Sequence, residues 1–417
     1  MRHYKDLFHF SGFSPFLFTQ FLGAFNDNVY KIVISMFAVD AGALFKEGGG
    51  YLSLVGAVFI LPFLLFSGYA GYLSDRFNKR TVLIVTKSSE IGAAAIGFWV
   101  LTSGRIDLML AGLFLMAVHS TFFSPAKYGI LPEMLPAGDL SRANGLLEMS
   151  TFLAIILGSS LGSVLFAFWK ETPGRIGLVL ISVALAGTLM SFGIGKVPSP
   201  AERPLFRRNP WKEIRQGIRR LKEDSQLGVA VICISLFWLF GALLQMDILL
   251  FGKEIMRIDD LHIGLLGAFL AAGIGIGSLV AGTLSGNRVE LGLVPPGLAG
   301  MALFSLILPF SGGFYFQFAF FLSLLGFSGG LFIVPFNTFL QLQSQPGERG
   351  RILATNNFFN MTGVLTASLL LWILNNVFKI SPGRILIILG LSLFMGGTLL
   401  LTRIPYFLSR FFLWIKE

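Results

Sequence analysis

Runs of mostly apolar residues, each closed by a short polar or Gly/Pro break, recur twelve times along this chain. Each is near the length of about 20 residues that carries a helix across a bilayer. The runs predict helices over approximately Phe16–Val39, Leu52–Leu73, Val82–Leu101, Leu108–Leu131, Ala143–Phe166, Ile176–Ile194, Leu227–Leu250, Ile263–Leu284, Leu293–Phe310, Phe316–Leu340, Ile352–Leu374 and Ile385–Leu401. The expected fold class is therefore an all-α membrane protein. The longest polar stretch, Lys196–Gln226, divides the spans six and six. It predicts a first bundle over 1–195, a linker over 196–226, a second bundle over 227–403 and an interfacial amphipathic tail over 404–417. Met1–Pro15 has neither the apolar run nor the small-residue cleavage site of a signal peptide, so the first span is expected to be retained.

Composition agrees. The 417 residues are 54% hydrophobic and 13% charged, with a mean hydropathy of +0.75, whereas soluble domains carry roughly 25% charged residues. Forty-four phenylalanines exclude intrinsic disorder. A single cysteine, Cys233, excludes an internal disulfide framework and a cysteine-rich metal site. The net charge of +10 is unevenly placed: with alternating spans, the linker side collects 21 of the 32 lysines and arginines and the far side eight. The positive-inside rule then puts linker and termini in the cytoplasm. The basic linker is read as a topology signal facing anionic headgroups; no aromatic–basic recognition module accompanies it, so nucleic acid is not an expected partner.

The halves repeat at a shift of about 210 residues, the sign of a duplicated bundle. Gly71-Tyr72-Leu73-Ser74-Asp75-Arg76 matches Gly282-Thr283-Leu284-Ser285-Gly286-Asn287; Phe123-Ser124-Pro125-Ala126-Lys127 resembles Ile333-Val334-Pro335-Phe336-Asn337; Ala143-Asn144-Gly145-Leu146-Leu147-Glu148 matches Thr355-Asn356-Asn357-Phe358-Phe359-Asn360. Two bundles in one orientation are able to rock about a site held between them.

The segment from Gly71 through Asp75 and Arg76 to Arg80 resembles the loop signature of the major facilitator superfamily, at that family's position between spans two and three. The resemblance implies a conformational gate at Gly71, Asp75, Arg76 and Arg80. Asp75 is expected to accept from free N–H groups at the start of span eleven, near Gly350, where a helix dipole is positive.

Ionisable residues inside spans are costly, and so are functional candidates. They are Asp27, Lys31, Lys87, Glu90, Lys127, Glu148 and Asp247. Asp27, flanked by Asn26 and Asn28, has Lys31 four residues on, in the order that lets a helical pair form; a self-neutralised structural pair is the alternative. Lys127 lies close to the linker-side surface, where snorkelling is the other reading. Lys87 and Glu90, three apart, are expected to satisfy each other. Asp247 is expected to be solvated at the outer end of span seven. Asn144 shares a face with Glu148. Opposite Lys127 and Glu148 the second half offers Asn337 and Asn360, giving one ionic and one amide wall. The many phenylalanines suit an amphiphile with an apolar tail, although lipid-facing phenylalanines give the same composition.

Gln20–Asn28, Phe123–Leu131, Ala143–Glu148, Ser235–Trp238 and Phe332–Asn337 resemble, across the whole chain, the bacterial lysophospholipid transporters. That family moves lysophospholipids inward across the bacterial inner membrane for re-acylation. The resemblance implies a lysophospholipid substrate and a site drawn from Asp27, Asn28, Lys31, Lys127, Asn144, Glu148, Gln245, Asn356 and Asn360. The family can carry an arginine where Gln245 stands and a glutamate where Asn360 stands, so headgroup preference does not transfer directly. Some relatives continue into an acyltransferase and an acyl-carrier-protein synthetase, and the aromatic, basic segment 404–417 resembles such a junction. Motifs for acyl transfer, zinc or phosphate are lacking, so neither an enzyme, a cofactor nor a metal is expected. Gly273-Ile274-Gly275-Ile276-Gly277 reads as close helix packing through Gly273 and Gly277 rather than as a nucleotide loop. His119 is read as a structural histidine over a proton relay. The alternatives to lysophospholipid flipping are a proton-coupled exporter of amphiphilic drugs and a non-transporting anchor for an acyltransferase.

Overall fold

The computed structural model describes residues 3–45, 50–199 and 209–416. Arg203, Arg207 and Arg208 of the linker lie outside them. The described residues form helices and no strand, as a chain whose backbone must satisfy itself in lipid requires. Twelve long helices follow the twelve apolar runs: α1 Phe13–Phe45, α2 Gly50–Arg76, α3 Lys79–Thr102, α4 Ile106–Gly129, α5 Leu140–Trp169, α6 Gly174–Phe192, α7 Ser225–Phe251, α8 Asp260–Leu284, α9 Leu291–Ser311, α10 Tyr315–Gln343, α11 Arg349–Trp372 and α12 Pro382–Arg403. Eleven are long and apolar enough to cross a membrane; α1, with Asn26, Asp27, Asn28 and Lys31 at its centre, completes the set.

Most helices overrun their apolar runs by a few residues, because hydropathy reads only the hydrocarbon layer whereas the helix continues to its caps. Asn78 caps α3 by accepting from the Arg80 and Thr81 amides, and Asp224 caps α7 through Gln226 and Leu227. The span α9 is less regular, with 3₁₀ turns at Leu291–Leu293 and Leu308–Ser311 around Val294–Ile307. Pro309 in the last turn cannot donate to the ladder. Pro125 of α4 and Pro335 of α10 sit at matching places in the two repeats.

Packing repeats with the sequence. In the first half α1 packs on α5, α2 on α4, and α3 on α4 and α6; in the second α7 packs on α11, α8 on α10, and α9 on α10 and α12. The closest pair is α8 with α10, where Gly273 and Gly277 abut the backbone of Ser323 and Phe327, and Gly326 and Gly330 abut that of α8. A Cβ at these glycines has no room, which is the close approach the small-residue spacing predicts. The halves meet along two seams related by the repeat, α5 on α8 and α2 on α11. Helix Pro210–Glu223 of the linker lies against α2 and α11, and helix Tyr406–Lys416 packs beside Leu291–Leu293.

Candidate functional site

At the linker end of the α2–α11 seam, the two oxygens of Asp75 accept from the N–H groups of Gly350 (2.6 Å) and Arg351 (2.9 Å). These amides open α11 and have no partner within their helix, and the dipole there favours a carboxylate. Gly71 makes the approach possible: a Cβ there would stand 2.7 Å from Ala354 Cβ and 2.9 Å from Gly350 O. The other seam uses the same places with the polarity reversed. Gly286 stands where the repeat puts Asp75, and its carbonyl accepts from Arg142 Nη1 at 2.8 Å; Asn287 Oδ1 accepts from Nη2 at 3.2 Å. Asp139 holds that guanidinium at 2.6 Å, and Ser141 donates to Arg288 O at 2.9 Å.

Further bonds close the same end. Asn144 is fully buried and bonds Thr338 (3.2 Å) and Gln341 (2.9 Å) of α10, so it belongs to this seal. Lys79 bonds Glu133 at 2.5 Å within the first half and Arg349 donates to Gln341 O at 3.0 Å within the second, while Arg349 Nη1 stands 4.0 Å from Glu133 across the interface. The Tyr4 hydroxyl, pushed up to about 12 by burial and so a lasting donor, reaches Leu279 O at 2.5 Å. Of the loop signature, Arg80 bonds within its own half. Arg80 donates to the carbonyls of Ile194 (2.7 Å) and Phe192 (2.8 Å) at the end of α6, and Arg76 lies over the Tyr72 and Phe77 rings.

A polar path runs deeper, from inside the first half to its boundary with the second. Glu148 is buried and accepts from Tyr128 Oη and from Asn337 Nδ2, both at 3.0 Å, so α5 and α10 meet through it. Lys127 does not snorkel. It is 8% exposed, donates to Thr151 Oγ1 at 3.1 Å and lies 5.1 Å over the Tyr128 ring. The Tyr128 it covers is the one that donates to Glu148. One oxygen of Asp27 accepts from Ser120; the other is buried without a hydrogen-bond partner.

Asp27 and Lys31 do not pair. Lys31 lies 5.3 Å over the Phe59 ring of α2, a cation–π contact that draws it away while Ser120 takes the carboxylate. Asn28 bonds back to Ala24 O at 2.7 Å. Lys87 and Glu90 pair as expected, but within a larger group. Asn26 donates to Glu90 Oε1 at 2.8 Å, and His119 Nε2 stands 3.1 Å from Glu90 Oε2. His119 Nδ1 is 3.3 Å from Ser120 Oγ, which links this buried cluster to Asp27.

The second half contributes amides. Asn357 donates to Ser124 of α4 at 2.7 Å, Asn360 accepts from Ser235 at 3.0 Å, and Asn356 is buried with its Oδ1 unpartnered. Gln245 is exposed on α7 and joins none of them. Asp247, expected in solvent, is fully buried with both oxygens unpartnered, because the inner side of α7 at that depth packs into the apolar core. On the far side of Glu148–Asn337 and Asn357–Ser124, the described residues make no hydrogen bond or ion pair between the halves. The polar closure is thus confined to the linker half of the interface.

Sequence reasoning missed Arg142, Ser120, Tyr128 and Thr151. Only Arg142 left a signal, the helical pair it forms with Asp139.

Comparison with known proteins agrees with this architecture. The Major Facilitator Superfamily profile matches residues 16–368. A protein named lysophospholipid transporter LplT, from Enterobacter sp. (strain 638), is 30% identical over 357 residues, covering 83% of this chain and 84% of the relative. Among solved structures, the human organic anion transporter MFSD10 superposes with a TM-score of 0.72 at 14% identity, covering 96% of this chain and 99% of that one. FucP, a superfamily transporter solved in the outward conformation, gives 0.70 at 14% identity, covering 97% of each chain. The duplicated six-helix packing, the Asp75 contact and these matches lead to one conclusion: the chain is a multi-pass membrane transporter, not an enzyme, and belongs to the bacterial lysophospholipid transporter family of the Major Facilitator Superfamily.

Proposed function

We propose that the chain moves lysophospholipids from the outer to the inner leaflet of a bacterial inner membrane by alternating access, with linker and termini in the cytoplasm and the bundles 1–195 and 227–403 as rocking units. The observation that carries this reading is the buried Glu148, which joins Tyr128, itself under Lys127, to Asn337 of the other half, between halves whose hydrogen bonds, among the described residues, lie toward the linker end. A zwitterionic or acidic headgroup entering from the far side meets a cation flanked by carboxylates, with Asn356 and Asn360 opposite. The acyl chain stays against apolar side chains or lipid. One chain is easier to turn over than two, because each buried methylene is worth about 0.8 kcal/mol. In this reading the product feeds a separate or fused acyltransferase.

The test is inward movement of labelled lysophosphatidylethanolamine in spheroplasts expressing the Asp27→Ala variant at wild-type level. Loss of uptake is expected; wild-type uptake removes Asp27 from the mechanism.

The buried Asp27–Ser120–His119–Glu90 group favours a second reading, a proton-coupled exporter of amphiphilic drugs. Collapsing the proton gradient separates the two: export stops, whereas facilitated flipping continues.

A further inference from the structure

The linker helix Pro210–Glu223 does more than connect the halves. Its inner face, formed by Glu213, Ile214, Gly217 and Leu221, is buried against the α2–α11 seam. Gly68 lies against Pro210 O and Gly217 against Thr355, without room for a Cβ. Trp211 meets Phe358 edge-on at 5.8 Å, well inside α11, while Arg220 bonds Glu348 at 2.8 Å just before that helix begins. The helix therefore runs along the flank of α11 from within the span to its linker end, covering the seam from the side.

Arg351 ties it to the gate. Its backbone N–H is given to Asp75 and its side-chain Nε to Glu213, at 3.0 Å. Parting α11 from α2 must disturb both bonds.

The outer face carries Trp211, Lys212, Arg215, Arg219 and Lys222, all exposed. At 100° per residue they fall within about a third of the circumference. The one exposed acid beside them, Glu223, is bonded to Arg219 at 2.9 Å. A strip of cations edged by a tryptophan on a helix lying along transmembrane helices matches a surface of anionic headgroups.

We propose that the outer face of this helix binds anionic phospholipid headgroups of the linker-side leaflet, and that the bound lipid surface holds the α2–α11 gate closed through Glu213 and Arg351. The inference does not depend on which substrate crosses.

The full chain, with Cys233→Ser and spin labels on Ala137→Cys and Gln345→Cys, tests it in vesicles of phosphatidylcholine with or without phosphatidylglycerol. Phosphatidylglycerol retention is followed by native mass spectrometry. The expected result is that phosphatidylglycerol shifts the label distances toward the closed gate. Changing Lys212, Arg215 and Lys222 together to Gln should remove that shift and lower retention roughly fivefold per charge, the equivalent of about 1 kcal/mol each. Glu213→Gln should keep the lipid and lose the shift. Equal distances in both lipids, or an unchanged response of the triple variant, overturn the proposal. So does an equal shift with soluble glycerophosphoglycerol or inorganic phosphate, which assigns the face to a free anion.

Discussion

Asp27 has one oxygen on Ser120 and one buried without a partner. A group that leaves hydrogen-bonding capacity unused in a low-dielectric interior is poised to take it up from a ligand. Glu148, by contrast, accepts two bonds on Oε1, one from each half, and so bridges them. Glu148→Gln is therefore expected to fold and to lose at least about tenfold in flipping rate, a loss of roughly 1.4 kcal/mol of transition-state stabilisation. Lys127→Met should destabilise by leaving Glu148 less compensated. Adding Glu148→Gln should recover part of that loss, with a coupling of about 0.5–3 kcal/mol in a thermal-unfolding cycle. Strictly additive effects would show that the two charges do not interact. These charges were legible because an ionisable residue stands out in an apolar run. Ser120, Tyr128 and Thr151 did not stand out, since hydroxyls are ordinary there. Lys31 was mispaired because a single helix does not reveal that Phe59 of its neighbour lies closer to hand.

At the level of helices, small-residue spacing was the readable signal and donor–acceptor chemistry the hidden one. Gly273 and Gly277 predicted a tight helix pair, and α8 on α10 is that pair. Gly277→Ala should overpack this contact and cost about 1–3 kcal/mol, read as a lower unfolding temperature in detergent. Gly241→Ala, where a Cβ meets nothing within 4 Å, serves as the control and should leave stability unchanged or slightly raised. Equal effects of the two would contradict the packing account. The loop signature pointed to Asp75 and the start of α11, whereas the answering Arg142 contact was invisible because the second copy carries Gly286 and presents a carbonyl. Asp75→Asn and Arg142→Gln should each loosen one seam by about 1.5–3 kcal/mol, the worth of a hydrogen bond to a charged group. Accessibility from the linker side should rise for a thiol at Ser74 in the first variant and at Ser141 in the second, both buried at those seams.

The molecule as a whole is two copies of one packing pattern, joined at two equivalent seams that close the same end. Duplication and twelve spans were readable from the apolar runs. The conformation was not, because it depends on contacts between residues some 140 to 280 positions apart, such as Arg142–Gly286 and Asp75–Gly350. The central claim is that flipping requires the α5–α8 seam to part. An ideal Cβ on Gly275 lies 3.9 Å from Met149 Cβ, within disulfide range. A Cys233→Ser chain carrying Met149→Cys and Gly275→Cys can thus be locked by oxidation and freed by dithiothreitol. Measured as translocation of labelled lysophosphatidylethanolamine by the purified chain in vesicles, flipping should stop on oxidation and return on reduction. The same rate in both states would contradict the account.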